Sequence, residues 1–367
     1  MRIAHVVRQF YPAIGGLENF VLDLAKEQVK QGMDVKVVTL NRRYDTNQSL
    51  DAEERVFGLD IVRIPFVGSH RYPIAPSVLK HLNDVDVIHV HAVDFFIDYI
   101  SLNKFRLKTP IVLSTHGGFF HTKFAANLKK LFFNTVTRFS LRSVDQVITC
   151  SSNDHKIFER LYPHKTLLIE NGVNTEKFAK FKNDSTNKQI LFIGRFSDNK
   201  RVDLLIQWFS QLNQLDNQFK LVIAGKDWDN NYHKLKQQVI DLDLVSKVEF
   251  VIEASEDELA QVVSQSSFIA SASEYEGFGM TIIESMAGGL IPLMSNIDSF
   301  VTINNKTQCG MLIDFNSTVS VNEFIKSINF DDLVGEKSRC IAQSQLYSFS
   351  KKSADFTQVY STLSTHS

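Results

Sequence analysis

The sequence predicts an α/β protein made of two doubly wound, Rossmann-like domains. Short apolar runs rich in β-branched residues alternate with longer helical patterns along the whole chain, which is typical of βαβ units and parallel sheets. The 367 residues suffice for two domains of ordinary size. Apolar residues make up 44% of the chain while glycine (16) and proline (7) are sparse, so the composition excludes a disordered or collagen-like protein.

The first domain is predicted to span residues 1–180. Its strands are predicted at 3–7, 35–39, 85–90, 111–114 and 146–149. A helix is predicted at 17–30, because Phe20, Leu24 and Val29 recur at helical spacing on one face. These alternating elements favour a parallel sheet with helices on its faces.

The second domain is predicted at 181–348. Its strands are predicted at 189–194, 220–224, 248–251, 268–271 and 291–295. The polar stretch 177–189 reads as the linker between the two domains. Residues 349–367 contain an amphipathic helical pattern at 349–363, which we expect to pack back on the first domain.

Charge and cysteine content narrow the functional class. The formal net charge of −1 argues against a protein that binds nucleic acid through bulk positive charge. Residues 1–180 contain 24 basic and 18 acidic side chains, against 16 and 23 in the remainder. The three cysteines are far apart in the sequence and indicate neither a disulfide framework nor a zinc ribbon. We expect a cytoplasmic protein that has no signal peptide and no membrane-spanning segment.

Two loops that follow predicted strands could bind phosphate. Gly15 and Gly16 follow the first strand and permit positive φ and close approach of the backbone to an anion, although an ordinary turn has the same pattern. Arg195 and Lys200 follow the first strand of the second domain and suit a pyrophosphate. The alternative for these cations is a solvated basic turn.

The segment 273–284 has the most specific pattern for binding a phosphate and a sugar. A glycine turn would offer the N–H groups of Gly279, Met280 and Thr281 to a phosphate at a helix N-terminus, and Glu284 could accept hydrogen bonds from ribose hydroxyls. Glu276 would face the sugar. The spacing lacks the third glycine of a dinucleotide-binding fingerprint, which argues against a nicotinamide enzyme.

Three histidines complete the candidate site. His89 and His91 alternate along one strand and therefore point to one face, and His116 ends the next strand. A three-histidine zinc site is one alternative, but no cysteine or carboxylate completes a known motif, and cleft-lining histidines are favoured. We expect His116 to lie against the substrate.

Residues 119–144 contain five basic and no acidic side chains, and their apolar residues recur at helical spacing. The basic residues are Lys123, Lys129, Lys130, Arg138 and Arg142. This pattern predicts a basic amphipathic helix that lies on anionic lipid or guides a lipid diphosphate. The alternative is that the apolar stripe belongs to the core and the cations are solvated.

Together these features resemble the retaining glycosyltransferases of family 4, which have the GT-B fold. Glu276 and Glu284 show the E-x7-E spacing of that family, and Glu170-Asn-Gly-Val-Asn174 resembles its segment before the linker. More narrowly, residues 5–10, 71–79, 94–96 and 114–122 resemble the α-mannosyltransferases of xanthan- and acetan-type polysaccharide assembly. The resemblance covers the whole chain.

The resemblance implies a role for each candidate residue. Gly16 would contact the phosphate of the sugar donor, Arg195 and Lys200 the pyrophosphate leaving group, and His116 the donor sugar near its anomeric carbon. Glu276 would bind sugar hydroxyls and Glu284 the ribose. The implied reaction transfers mannose from GDP-mannose, without a metal, to a saccharide on a polyprenyl diphosphate at the inner face of the plasma membrane.

Three alternatives stay open at this point. The first is a family 4 transferase that uses a UDP-sugar, because a short motif does not fix the base. The second is a nucleotide-sugar epimerase or hydrolase with the same fold. The third is a two-domain protein that binds a sugar or nucleotide without catalysis.

Overall fold

The computed structural model describes residues 1–70, 72–116, 133–179, 183, 185–227 and 229–364. The chain divides into two compact units. The first unit comprises Met1–Gly172 together with Phe349–Ser367, and the second comprises Val173–Ser348. Each unit has its own parallel sheet and its own buried apolar core.

The first unit contains a sheet of eight strands in its described part. The strands are β1 (Arg2–Val6), β2 (Asp34–Leu40), β3 (Glu53–Val56), β4 (Leu59–Ile64), β7 (Val87–His91), β8 (Ile111–Ser114), β9 (Gln146–Thr149) and β10 (Thr166–Leu168), with a separate hairpin of β5 (Val67–Ser69) and β6 (Tyr72–Ile74). Their order in the large sheet is β10-β9-β8-β7-β1-β2-β4-β3. All pairs in this sheet are parallel except β3 with β4. The sheet is therefore doubly wound, as the sequence predicts.

Helices cover this sheet on both faces. They are α1 (Gly16–Lys30), α2 (Phe95–Leu102) and α3 (Ser152–Glu159), with shorter helical turns at Pro76–His81, Lys104–Arg106, Phe133–Thr137, Arg138–Ser140 and Leu141–Ser143. The central strands β1, β7 and β8 are almost wholly buried, because one face packs on α1 and the other on α2. Their register places His5 beside His89 and His91 beside Ser114.

The second unit contains a six-stranded, fully parallel sheet in its described part. Its strands are β11 (Gln189–Arg195), β12 (Lys220–Lys226), β13 (Val248–Ile252), β14 (Phe268–Ser271), β15 (Ile291–Ser295) and β16 (Met311–Ile313), in the order β13-β12-β11-β14-β15-β16. Its helices are α4 (Val202–Leu215), α5 (Tyr232–Asp241), α6 (Glu256–Gln265), α7 (Met280–Ala287), α8 (Asp298–Thr307), α9 (Thr318–Ser327) and α10 (Leu333–Ser344). The chain order reverses direction between β11 and β14, which is where ligands bind in doubly wound sheets.

The last helix, α11 (Phe349–Ser364), belongs to the first unit. Its Phe356 and Tyr360 are buried in the core formed by α1 and the central strands. The division between the units falls at residue 172 and not at the predicted position 180, because the backbone N–H of Val173 donates to Tyr347 and the Lys177 ammonium pairs with Glu284, both in the second unit.

In the described ranges, the helices are all too short or too polar to cross a lipid bilayer.

Candidate functional site

At the carboxyl edge of the second unit, an ion pair joins the loops after two neighbouring strands. Lys200 lies in the turn that follows β11, and Glu276 lies in the loop that follows β14. The Lys200 Nζ donates to Glu276 Oε1 at 2.5 Å, and the Ser273 hydroxyl donates to the same oxygen at 2.8 Å. These two side chains were predicted to have separate roles, and the structure brings them into direct contact.

Helix α7 begins beside this ion pair. Gly279 caps its N-terminus with φ +94°, and a Cβ there would lie 2.9 Å from the Phe300 ring and 3.0 Å from Ile303. Only glycine fits this position, for both its conformation and its space. Lys200, Glu276, Gly279, Met280 and Thr281 line one small cavity of about 30 Å³. A cation, a helix N-terminus and a carboxylate therefore meet, a combination that suits a phosphate linked to a hydroxylated group.

Two other predicted residues of the second unit lie near this edge but do not line the cavity. Arg195 is the exposed last residue of β11. Glu284 lies one turn into α7, where its carboxylate accepts from the Lys177 Nζ at 2.9 Å. Lys177 was not among the predicted site residues, although it precedes the second domain in the polar stretch that the sequence indicated.

In the first unit, Gly15 and Gly16 start helix α1 as expected, but with a different geometry. Gly15 is extended, with φ −173°, so the predicted positive φ is not used at this residue. A Cβ on Gly15 would lie 2.2 Å from Glu18 Oε2, the end of a flexible side chain that can rotate away, so the backbone does not require glycine here. Burial raises the pKa of the Glu18 carboxyl group. Because Glu18 lies in the first turn of α1, a phosphate at this helix N-terminus would have its carboxyl group as a neighbour.

His116 follows the end of β8 in the left-handed region, with φ +50°. Its ring packs edge-on against Phe20 of α1, with the centroids 4.8 Å apart. Its Nε2 lies 3.0 Å from His91 Nδ1, and burial lowers the pKa of His116 to about 3. The ring is therefore neutral at physiological pH, with one nitrogen that donates a hydrogen bond and one that accepts.

His89 and His91 of the zinc alternative lie close together, and the third histidine of their cluster is His5 in place of His116. The rings of His89 and His91 are 4.1 Å apart, and His5 Nδ1 lies 2.8 Å from His91 Nε2. The nitrogens of His5, His89 and His91 lie within 4.8 Å of one another. His5 was not predicted, because only the parallel pairing of β1 with β7 in the structure brings it beside these histidines.

Sequence reasoning also missed an ion pair at the carboxyl edge of the first sheet. Arg8 follows β1 and Asp94 follows the neighbouring β7, and the Arg8 Nε lies 3.0 Å from Asp94 Oδ2. Asp94 also caps α2 by accepting from the Phe96 N–H at 2.9 Å, and burial raises its pKa to about 6. Each charged residue follows a predicted strand, but only the order of the strands shows that the two meet at one edge of the sheet.

The basic segment is only partly described. Lys123, Lys129 and Lys130 lie outside the described residues. Arg138 and Arg142 are exposed. The apolar side chains of Val136 and Phe139 are exposed too, so the alternative that the apolar residues of this segment belong to the core is wrong for Val136 and Phe139.

Two family models match this chain almost end to end. The model described as Glycosyltransferase Family 4 matches residues 14–177, and the model described as Glycosyl transferases group 1 matches residues 173–344.

Curated relatives agree with the family models. The chain is 38% identical over 317 residues to the GDP-mannose:cellobiosyl-diphosphopolyprenol alpha-mannosyltransferase of Xanthomonas campestris, covering 86% of this chain and 83% of the relative. It is 33% identical over 315 residues to the enzyme of the same name from Komagataeibacter xylinus, covering 86% of this chain and 80% of the relative.

Solved structures show the same fold at low identity. Sucrose-phosphate synthase from Thermosynechococcus elongatus superposes over all of both chains with a TM-score of 0.73 at 19% identity. A glycosyltransferase from Rickettsia africae superposes over 99% of this chain and 98% of its own with a TM-score of 0.74 at 18% identity. These likenesses confirm the predicted GT-B fold, and with the family models and curated relatives they lead to one conclusion: the chain belongs to the family 4 glycosyltransferases and is a glycosyltransferase.

Proposed function

We propose that this glycosyltransferase moves a mannosyl group from GDP-mannose to a saccharide carried on a polyprenyl diphosphate, with retention of the anomeric configuration. The observation that carries the proposal is the cavity where Lys200, Glu276 and the N-terminus of α7 meet. The name of the relatives at 38% and 33% identity supports the choice of GDP-mannose and of the lipid-linked acceptor.

The proposed chemistry follows from the charge that develops on the leaving group. When the bond between the anomeric carbon and the phosphate oxygen breaks, negative charge grows on the nucleoside diphosphate. Lys200 and Arg195 would neutralise this charge, and the N–H groups of Gly279, Met280 and Thr281 would donate hydrogen bonds to it. These groups supply the stabilisation without a metal ion, so we propose metal-independent transfer.

The remaining groups position the sugar donor and the acceptor. Glu276 would accept hydrogen bonds from sugar hydroxyls, Glu284 from the ribose, and His116 would contact the donor sugar. The acceptor hydroxyl oxygen would form its bond to the anomeric carbon on the face from which the phosphate departs, and its proton would pass to a phosphate oxygen. No protein nucleophile is needed for retention by this route.

The experiment that tests this proposal measures turnover with alternative sugar donors. Purified full-length protein would be incubated with GDP-mannose, UDP-glucose or UDP-N-acetylglucosamine, each with and without a polyprenyl-diphosphate-linked disaccharide. We expect GDP release and a mannosylated lipid product that depend on the acceptor and persist in excess chelator. Preference for a UDP-sugar would overturn the choice of mannose, and binding without turnover would favour a sugar- or nucleotide-binding protein.

The surface around α2 in the first unit, which carries Phe105 and Phe139, supports a role at a membrane surface, and we call it the α2 face. Phe105, which is 80% exposed, follows α2, and Phe139, which is 58% exposed, lies in a turn that packs on α2. Arg106 stacks on Phe105 at 5.2 Å, and Arg142 on Phe139 at 5.9 Å. Exposed aromatic rings beside cations suit the interface of an anionic bilayer. We propose that this face contacts the membrane that holds the acceptor.

Sedimentation with vesicles tests the membrane contact. Wild-type protein should sediment with phosphatidylglycerol vesicles and not with phosphatidylcholine vesicles, and the double change Phe105→Ser with Phe139→Ser should remove sedimentation. The exposed Val245→Ser in the second unit serves as the control. Equal sedimentation of the double variant and the wild type would contradict the assignment of this face.

A further inference from the structure

Behind His116, a chain of hydrogen bonds crosses the sheet of the first unit to the C-terminal helix. His116 Nε2 lies 3.0 Å from His91 Nδ1, and His91 Nε2 lies 2.8 Å from His5 Nδ1. His5 Nε2 lies 2.7 Å from Gln28 Oε1 of α1, and Gln28 Nε2 donates to the Tyr360 hydroxyl at 3.4 Å. We call these five side chains the histidine relay.

The relay continues into a second branch. The Tyr360 hydroxyl lies 2.7 Å from His89 Nδ1, and His89 Nε2 lies 2.7 Å from Ser114 Oγ. Both ring nitrogens of His5, His89 and His91 therefore have a hydrogen-bond partner. A metal ion on these three rings would have to displace those hydrogen bonds, so the geometry favours a hydrogen-bonded chain over a zinc site.

The imidazoles of the relay are neutral. Burial lowers the pKa of His5 to about 4 and that of His116 to about 3, and burial and the neighbouring histidines hold the pKa of His91 well below its usual value. The ring centroids of His5 and His91 lie only 5.1 Å apart, so a positive charge on one ring would oppose protonation of the other. A neutral imidazole has one N–H and one bare nitrogen, so the direction of one hydrogen bond fixes the next.

Gln28 sets that direction. Its Oε1 can only accept, so the His5 proton lies on Nε2 and His5 Nδ1 is bare. His91 must then donate from Nε2 to His5 and accept at Nδ1, which requires His116 to donate from Nε2. His116 Nδ1 is left without a proton. In this orientation of the amide, the Gln28 Nε2 donates to the Tyr360 hydroxyl.

We propose that His91, His5 and Gln28 are positioning residues that hold His116 as its Nε2–H tautomer, so that Nδ1 accepts a hydrogen bond from a hydroxyl of the donor sugar. The inference rests on the proposed function in one respect, since it takes from it that His116 contacts the sugar. The opposite tautomer would present an N–H at the same place and reverse that hydrogen bond. The left-handed backbone of His116 and its contact with Phe20 fix the ring for this task.

Nuclear magnetic resonance tests the tautomer without any substrate. Long-range ¹H–¹⁵N correlation spectra of the full-length, histidine-labelled protein should show a bare Nδ1 and a protonated Nε2 for His116, assigned by its loss in His116→Gln. Gln28→Met removes the acceptor for His5, so His116 should become a mixture of tautomers. Gln28→Glu keeps an acceptor towards His5 and should keep the tautomer.

Two further variants guard against effects on folding. Gln9→Met removes another buried glutamine of the first unit and should leave the His116 tautomer unchanged. Within the described residues, the Gln9 side chain bonds to the backbone of Arg8, Arg42 and Tyr44. Tyr360→Phe frees the Gln28 amide to rotate and should give the same tautomer mixture as Gln28→Met, which keeps the test open if the Met variant does not fold.

Transfer kinetics, measured beside the tautomer of His116, distinguish a failure of the relay hypothesis from a failure of the proposed function. We expect kcat/KM for transfer to fall roughly tenfold in Gln28→Met, the cost of about one hydrogen bond, and to recover in Gln28→Glu. A protonated Nδ1 in wild-type His116, an unchanged tautomer in Gln28→Met, or stoichiometric zinc in the purified protein would each overturn the relay. An altered tautomer with unaltered transfer would overturn the role of His116 at the sugar, and a wild type without transfer would refute the proposed function alone.

Discussion

Lys200 and Glu276 form the central ion pair of the candidate site, and each side chain depends on the other for its position. Both are only about one fifth exposed, so their 2.5 Å contact is less screened by solvent than a surface ion pair. Without Lys200, Glu276 would keep the Ser273 hydroxyl and lose the cation that faces it. A change at Lys200 therefore acts on the leaving group and on the sugar contact together.

We predict that Lys200→Ala lowers the turnover of the nucleotide sugar by roughly 10²-fold, on the scale of losing one group that stabilises a developing oxyanion. The fold should persist, because the side chain lies in a loop. Lys188→Ala is the matched control: Lys188 precedes the same strand at its opposite end and pairs with Asp216 at 2.6 Å. Release of nucleotide diphosphate under saturating acceptor measures both variants, and equal turnover of Lys200→Ala and Lys188→Ala would contradict the role of Lys200.

How much of the site the sequence could reveal depends on whether its signal is local. Lys200, Glu276 and Gly279 stand out because glycine turns and cations follow predicted strands within a few residues. His5 and Arg8 did not stand out, because their partners His91 and Asp94 lie more than eighty residues away. Only the order of strands in the sheet brings these pairs together, and local sequence patterns do not determine that order.

At the scale of elements, the turn before α7 joins backbone geometry to binding. Gly279 adopts a positive φ at the N-terminus of α7, and it lines the cavity beside Lys200 together with Met280 and Thr281. Its α-carbon also lies against Phe300 and Ile303 of α8, so a side chain there would push α7 away from α8. The binding geometry and the packing of the two helices therefore depend on the same glycine.

We predict that Gly279→Ala destabilises the second unit by about 1–3 kcal/mol, through strain at positive φ and the clash with α8. It should also weaken binding of the nucleotide sugar, because the N–H groups of α7 would shift. Gly277→Ala is the control for stability: a Cβ there meets no atom within 4 Å. Chemical unfolding followed by tryptophan fluorescence measures both variants, and similar unfolding midpoints for the two would refute the steric argument.

The predicted elements agree with the structure where apolar runs are buried on both faces. Strands β8, β9, β14 and β15 have the predicted bounds, and helix α1 begins one residue early. Among the strands that the structure describes, six were not predicted, and all but β4 have only three or four residues: β3, β4, β5, β6, β10 and β16. Strand β4 (Leu59–Ile64) lies inside the sheet, but polar residues interrupt its apolar residues, so it has no continuous apolar run. The hairpin of β3 and β4 turns at Phe57 and Gly58, both with positive φ, and phenylalanine is an unusual residue for such a turn.

At the scale of the whole molecule, the two units differ sharply in their titratable groups. Ten of the eleven histidines belong to the first unit, and His233 alone belongs to the second. Burial lowers the pKa of five of those ten: the four neighbouring histidines His5, His89, His91 and His116, and the partly buried His81. Both tryptophans, Trp208 and Trp228, fall in the second unit. Tryptophan fluorescence therefore reports on the unit without the buried histidines.

We predict that acid unfolds the first unit before the second. A histidine whose folded pKa lies below 6.5 binds fewer protons in the folded than in the unfolded chain, so its contribution to stability is complete above about pH 6.5 and declines as the pH falls towards its folded value. Each such group costs up to about 1.4 kcal/mol per pH unit, so the four neighbouring histidines together cost up to about 5 kcal/mol per unit. The raised pKa values of Asp94, Asp98 and Glu18 act in the opposite direction and offset part of this loss.

Far-ultraviolet circular dichroism and tryptophan fluorescence, recorded together from pH 7.5 downwards, separate the two units. Ellipticity should fall in two steps, the first beginning below about pH 6.5, and fluorescence should change only in the second. His233→Gln should leave both steps in place, because the only histidine of the second unit has no part in the first transition. A single transition seen at the same pH by both signals would contradict the prediction, since the units would then unfold together whatever the distribution of their histidines.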